Sequence, residues 1–237
     1  MRIIAGTARG TKLDTPSGEE TRPTLARVKE NFFNAIHFDI EGAKVLDLFA
    51  GSGQLGLEAL SRGARACVFV DSDAECVEII TKNAQRAKLY DKCNIYRAEF
   101  GEYLSSVAKR RGFAENFEKF DMVFLDPPYS QEKDSGRYLK EAIKRLLKHG
   151  FVADGGMIIC ESEAPFEIDE ESAKCIANTR VYKYGRVLIT VFNIESQEVI
   201  ERIEDELDLK AYDEALAKHK ENPVTYSLDE IEREFGL

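Results

Sequence analysis

Val45-Leu46-Asp47-Leu48-Phe49-Ala50-Gly51-Ser52-Gly53-Gln54-Leu55-Gly56 decides the fold of this chain. A short apolar run enters a glycine-rich turn and continues into Leu57-Glu58-Ala59-Leu60, the pattern of a buried strand, a tight turn and a helix. Working outward, the same alternation repeats. The spacing predicts strands at 45–49, 66–70, 93–97, 120–125 and 156–161, with helices near 55–62, 73–87, 99–110 and 135–149 between them. Strands this short and apolar are buried on both faces, and their alternation with helices predicts a mostly parallel, doubly wound α/β sheet. Two further runs, Arg180–Tyr184 and Val187–Phe192, flank Gly185-Arg186 and predict a terminal antiparallel hairpin that completes seven strands.

Gly51, Gly53 and Gly56 match G-x-G-x-x-G, so a dinucleotide site has to be weighed. Glycine lets the backbone turn sharply and press against a ligand, whichever nucleoside is held. Asp71 ends the next strand, where a carboxylate would chelate ribose hydroxyls in either case; capping the following helix is its bland alternative. Three features favour S-adenosylmethionine. Asp47, just before the glycines, suits the amino end of a methionine moiety and would repel a pyrophosphate. Glu99, past the third strand, suits the adenine amine, although an acid in a helix's first turn explains it nearly as well. Phe49, beside the first glycine, joins Asp47, Gly51, Gly53, Asp71 and Glu99 as a candidate cofactor contact.

The third feature is Asp126-Pro127-Pro128-Tyr129, which follows the apolar run Phe120–Leu125 and has no role in hydride transfer. Ligands of open α/β sheets bind beyond the carboxyl ends of strands, and this strand is expected beside the one ending at Phe49. Two prolines remove two N–H donors and stiffen the turn. The Asp126 carboxylate and the Pro127 carbonyl can then accept both hydrogens of an exocyclic amine, while Tyr129 stacks on the base. In duplex or structured RNA that base has to be flipped out. The bland alternative is a rigid turn after a core strand. The constellation points to methyl transfer onto an exocyclic nitrogen of a nucleic-acid base.

Composition narrows the setting. The net charge is −10, but residues 195–237 carry 14 Asp/Glu against 5 Lys/Arg, and residues 1–194 are nearly neutral with 29 against 28. Within residues 1–36 Arg2, Arg9, Lys12, Arg22, Arg27 and Lys29 outnumber the acids, as a phosphate-contacting leader requires. Five scattered cysteines (Cys67, Cys76, Cys93, Cys160, Cys175) and three distant histidines predict reduced thiols, no metal centre and a cytoplasmic setting. No apolar run reaches membrane-spanning length, and Met1–Thr7 lacks the pattern of a signal peptide, so no membrane partner is expected. Three regions follow: an RNA-contacting extension over 1–40, a catalytic domain over 41–194 and an acidic helical tail over 195–237. In the leader, Arg2–Ile4 and Lys12–Leu13 predict a small hairpin, and Thr24 is a candidate N-cap for a helix bearing Leu25, Val28, Phe32, Ala35 and Ile36.

Residues 1–194 resemble the RsmD-like methyltransferases, which place a methyl on N2 of a guanine in small-subunit ribosomal RNA. The resemblance is carried by Met1-Arg2-Ile3-Ile4-Ala5-Gly6 with Arg9-Gly10, and by Thr21-Arg22-Pro23-Thr24 with Arg27-Val28-Lys29-Glu30 and Phe33-Asn34. The glycine turn, Asp126–Tyr129 and the Tyr184-Gly185 hairpin follow in order. It implies a Rossmann-like class I fold, S-adenosylmethionine as cofactor, and ribosomal RNA as partner, within a small subunit or an assembly intermediate. It also places Arg22, Thr24 and Arg27, with Pro128, on the substrate side. Glu99 stands where the family usually has Asp. An adenine-N6 methyltransferase on RNA or DNA uses the same grip and is the rival reading.

Residues 195–237 are different in kind. Ile194, Val199, Ile203 and Leu207 form a helical stripe among acids, and Ser227-Leu228-Asp229-Glu230 predicts a capped final helix. The segments Glu204–Tyr212 and Pro223–Glu230 resemble the C-terminal portion of RelB-type antitoxins. That implies a module which folds on a basic, toxin-like protein. A solvated extension docked on its own core, or one masking the basic leader, is the alternative.

Overall fold

The computed structural model describes residues 1–16, 23–111, 118–127 and 135–195, with 23–28, 111 and 135 described by backbone alone. Seven strands form one sheet: β1 (Lys44–Asp47), β2 (Ala66–Asp71), β3 (Cys93–Arg97), β4 (Phe120–Leu125), β5 (Val152–Ser162), β6 (Ile176–Tyr184) and β7 (Val187–Ile194). Their order is β3-β2-β1-β4-β5-β7-β6. The first five run parallel, and β7 pairs antiparallel with both β5 and β6. This is the predicted α/β sheet with its terminal hairpin. The order reverses at β1, where β2 and β4 flank the strand that opens the glycine turn.

Among the described residues seven α-helices accompany the sheet, two before β1 and five between strands: α1 (Pro23–Ala35), α2 (His37–Ile40), α3 (Gln54–Ser61), α4 (Ala74–Arg86), α5 (Phe100–Arg111), α6 (Ser135–Lys148) and α7 (Glu170–Ala173). Period-two alternation splits the sheet's side chains between two cores. Val45, Phe69, Phe124 and Ile159 face the side packed by Phe32, Phe33, Leu57 and Ile80. Leu46, Val70, Val123 and Ile158 face the other side, against Leu104, Leu139, Ile143 and Leu146.

The leader is built into the first of these cores. Arg2 and Lys12 form an antiparallel bridge, and Ile3 and Leu13 are buried. The Glu58 carboxylate accepts the N–H groups of Ile4 and Ala5 at 2.7 and 3.1 Å and pairs with Arg62 at 2.7 Å. Gly6 has φ +81°, and a Cβ there would collide with the Ser61 carbonyl. Thr24 does not cap α1, because the helix already runs from Pro23; proline suits the first helical position, whose N–H has no intrahelical partner. β5 and β6 begin earlier than the predicted strands, at Val152 and Ile176, since each starts in a polar, irregular stretch.

Among the described residues no helix is long and apolar enough to cross a membrane. Cys67, Cys93, Cys160 and Cys175 are free thiols.

Candidate active site

The alternation that builds the cores also assembles the site. Val45 and Asp47 on β1, Met122 and Phe124 on β4, and Met157 and Ile159 on β5 share the face covered by α1 and α3. Two residues on along β4 and β5, the same face carries Asp126 and Glu161. Three carboxylates thus end on one face at the carboxyl edge of the sheet, next to the switch point. The Leu48 N–H still bonds the Phe124 carbonyl at 3.2 Å, and Ala50 bonds Val70 at 3.1 Å, so the turn after β1 is tied to both neighbours.

The three glycines have separate duties. Gly51 has φ +51°, and a Cβ there would meet nothing within 4 Å, leaving an open cradle over the turn. Gly53 has φ +76° and precedes α3; a Cβ there would press on the Ile80 side chain at 3.2 Å. A Cβ on Gly56 would reach 2.4 Å from the Phe69 ring, so this glycine brings α3 down onto β2. Asp71 braces the turn from β2, accepting the Gly51 N–H at 2.8 Å through one oxygen and the Asp73 N–H at 2.9 Å through the other. It does not cap α4: Asp73 does, accepting from Glu75 at 2.7 Å. Each Asp71 oxygen retains acceptor capacity for a hydroxyl.

Asp47 is 1% exposed. One carboxylate oxygen accepts the Gly56 N–H at 3.0 Å. The other, Oδ1, has no hydrogen-bond partner among the described residues. Loss of water pushes its carboxyl up to about 7; the Gly56 bond and Lys29 oppose the shift, while Asp126 and Asp71 add to it. A buried, unpaired carboxylate oxygen beside an open glycine cradle fits the ammonium of a methionine moiety. These groups therefore fit S-adenosylmethionine, which Asp47, Gly51 and Asp71 would hold.

Phe49 packs on Phe100 and Tyr138 with ring centroids 5.2 and 6.4 Å apart, an aromatic wall at the mouth of the turn. Glu99 is exposed immediately before α5, and its backbone carbonyl accepts the first helical N–H, from Tyr103 at 2.9 Å.

Asp126 keeps part of its surface open yet lies deep at the sheet edge, where loss of water dominates and holds its carboxyl above the ordinary range; Lys29 opposes this. Pro127 behind it is buried. Asp126 lines a small, mainly apolar recess with Lys29, Phe32, Leu55, Ile159 and Glu161. Pro128, Tyr129 and Arg22 lie outside the described residues, and Thr24 and Arg27 are placed on α1 by backbone alone.

Lys29, Gln54 and Tyr138 were not singled out by sequence as site residues. Lys29 reads as one more leader cation, yet it is 7% exposed and its Nζ donates to Gln54 Oε1 at 3.0 Å. Helical spacing from Phe32 and Phe33 carries a signal of its burial, since Lys29 lies one turn before them on α1. Nothing in the sequence marks Tyr138, which reaches the wall from a distant helix.

Comparison with known proteins agrees with this geometry. Residues 1–193 match the family model described as conserved hypothetical protein 95. Ribosomal RNA small subunit methyltransferase D of Haemophilus influenzae is 37% identical over 163 residues, 69% of this chain and 79% of that protein. The Escherichia coli protein yhhF superposes with a TM-score of 0.66 at 32% identity, covering 83% of this chain and 99% of its own. At 14% identity SMU.776, a structure complexed with SAH, shares the fold with a TM-score of 0.50 over 73% of this chain and 50% of its own. Residues 196–235 match a separate family of unknown function (DUF6290), which adds no support to the RelB-type resemblance. Over residues 1–193 the chain belongs to the family of conserved hypothetical protein 95, the RsmD-like methyltransferases.

Proposed function

We propose that this chain transfers a methyl group from S-adenosylmethionine to the exocyclic N2 of a guanine in small-subunit ribosomal RNA, in the cytoplasm. The observation that carries this reading is the meeting of the glycine turn and Asp126 across the β1–β4 pair. S-adenosylmethionine would supply an electrophilic methyl group on its sulfonium sulfur, whose S–CH3 bond breaks as the methyl is taken and S-adenosylhomocysteine leaves. The protein's part is to hold and orient. Asp47 Oδ1 accepts from the amino end, Asp71 from the ribose hydroxyls, and Glu99 from the adenine amine. Asp126 and the Pro127 carbonyl accept the two hydrogens of the guanine amine and aim its lone pair. Tyr129 stacks on the base; Arg22, Thr24, Arg27 and Pro128 hold the flanking RNA. As the N–C bond forms, nitrogen sheds a proton, and a carboxylate whose proton affinity is raised by burial is a better acceptor for it.

Small-subunit ribosomal RNA is supported by the named relative, ribosomal RNA small subunit methyltransferase D, and guanine N2 is what the resemblance of residues 1–194 implies. The subunit or an assembly intermediate, with its proteins in place, suits a chain whose residues 1–194 are nearly neutral in net charge. Asp126→Ala tests the reading: methyl transfer should fall by about a thousandfold, the scale of losing a transition-state acceptor, while S-adenosylhomocysteine binding changes little. Undiminished turnover would remove Asp126 from the mechanism.

Residues 195–237 are read as a segment that folds on a basic protein partner, supported by their acids and sparse apolar anchors. Affinity capture with the full chain, against a 1–195 truncation, tests this. Failure of the full chain to enrich any basic protein over the truncation would count against it.

A further inference from the structure

Lys29 is a cation taken out of water, and a buried charge is costly unless it is compensated. A leucine or methionine would fill the same space on α1 without that cost, so the ammonium itself needs a reason. Its Nζ donates to a neutral group, the Gln54 side chain that opens α3, at 3.0 Å. Two carboxylates feel its charge, Asp47 and Asp126, and it lines one recess with Asp126. Among the described residues, the charged groups facing Asp126 are Lys29 from α1, Asp47 from β1 and Glu161 from β5; Asp71 on β2 acts on Asp47. Lys29 is the cation of this set, and three acids crowd it.

We propose that Lys29 is a positioning residue which keeps Asp126 in its ionised, acceptor-only form, so that seating α1 against the sheet is a condition for a competent amine grip. The inference rests on the proposed role of Asp126 and adds the group that controls it. A protonated Asp126 offers an O–H where the amine also offers N–H, and the grip fails. Loss of water at the sheet edge favours that protonated form, and Lys29 works against it. The same ammonium holds Gln54 at the end of the glycine turn. One residue of the leader helix thus touches the cofactor arm and biases the catalytic carboxylate, and the leader that carries the substrate-side residues Thr24 and Arg27 cannot undock without unsettling both.

The test compares wild type, Lys29→Met and Lys29→Arg in the full chain. The first readout is the titration of aspartate side-chain carboxyls in the ligand-free protein by 13C NMR, with the Asp126 signal identified by its loss in Asp126→Asn. The second is the pH profile of methyl transfer to small ribosomal subunits that lack the modification. Removing a nearby opposite charge should raise the Asp126 midpoint by about one to three pH units in Lys29→Met, and the acid limb of the rate profile should move with it. Lys29→Arg should restore both. An Asp126 midpoint unchanged in Lys29→Met overturns the inference, as does a rate that falls equally at every pH. If Lys29→Met does not fold, Lys29→Gln keeps a polar, uncharged chain and must show the same displacement. Asp126→Asn separates the two levels: full activity in that variant defeats the role of Asp126 itself, whereas an inactive Asp126→Asn beside an unshifted Lys29→Met defeats only the inference about Lys29.

Discussion

Asp71, at the end of β2, accepts the backbone N–H of Gly51 at 2.8 Å. The acid expected to hold a ribose is therefore also the brace of the turn on which the cofactor rests. Asp71→Asn retains an amide oxygen for Gly51, whereas Asp71→Ala retains nothing. Calorimetry with S-adenosylhomocysteine should show Asp71→Ala weakened by more than tenfold and destabilised by about 1–3 kcal/mol, the cost of orphaning a turn donor. If the carboxylate also serves the ribose, Asp71→Asn should be nearly as stable as wild type yet still bind weakly. Wild-type binding in Asp71→Asn would reduce Asp71 to a brace.

Asp47 gives the stability curve a sign. Its carboxyl is pushed up from 3.8 to about 7, chiefly by loss of water. Between those values the folded chain holds a proton that the unfolded chain has released. Its contribution to stability is therefore fully present at low pH and is lost as pH rises through the folded value. Asp126, also raised, acts in the same direction. Chemical denaturation across pH 4–8 should show a flatter profile in Asp47→Asn than in wild type, and an equally steep one would contradict the shift. The thermal stabilisation conferred by S-adenosylhomocysteine should grow over the same range, as Asp47 ionises to meet its ammonium.

Glu58 and Arg62 form a buried latch: the pair is 2.7 Å apart, Arg62 Nη1 donates to Asn34 Oδ1 at 3.1 Å, and its guanidinium lies over the Phe33 ring at 5.2 Å. Glu58→Ala strands a buried arginine and releases the Ile4 and Ala5 amides. A loss of about 3–5 kcal/mol is expected, and adding Arg62→Met should recover part of it. Urea melts of the single and double variants measure this; simple additivity would mean that the two residues do not act as a pair.

The glycines separate by assay. Gly51→Ala places a methyl in open space at φ +51°, so cofactor affinity should fall more than stability. Gly56→Ala drives a methyl into Phe69 and should cost about 1–3 kcal/mol of stability by overpacking. Gly53→Val would press on the Ile80 side chain at φ +76° and strain the turn, so it should lose stability as well as cofactor affinity. Equal losses of binding and stability in Gly51→Ala and Gly56→Ala would argue against these separate roles.

The sheet, its hairpin and the pairing of β1 with β4 were legible because each strand is a short apolar run with its own boundaries, and because an α/β alternation leaves few ways to wind the chain. Asp47 and Asp126 were legible for a related reason: both are charges placed at the ends of otherwise apolar strands. Lys29 was not, since a lysine on an amphipathic helix looks solvated until the sheet that covers it is known. Glu58 has the same character; its partners are backbone amides more than fifty residues away. The cap at Thr24 failed because Pro23 begins the helix, and the Gly53 contact depends on Ile80, which arrives from α4.

The most direct measurement is the identity of the methylated nucleoside. Small ribosomal subunits lacking endogenous modification, free ribosomal RNA and duplex DNA would each be incubated with the protein and methyl-labelled S-adenosylmethionine, then digested to nucleosides. The account predicts label in N2-methylguanosine from the subunit or its RNA. Label in N6-methyladenine, or no transfer to any of the three, would contradict it.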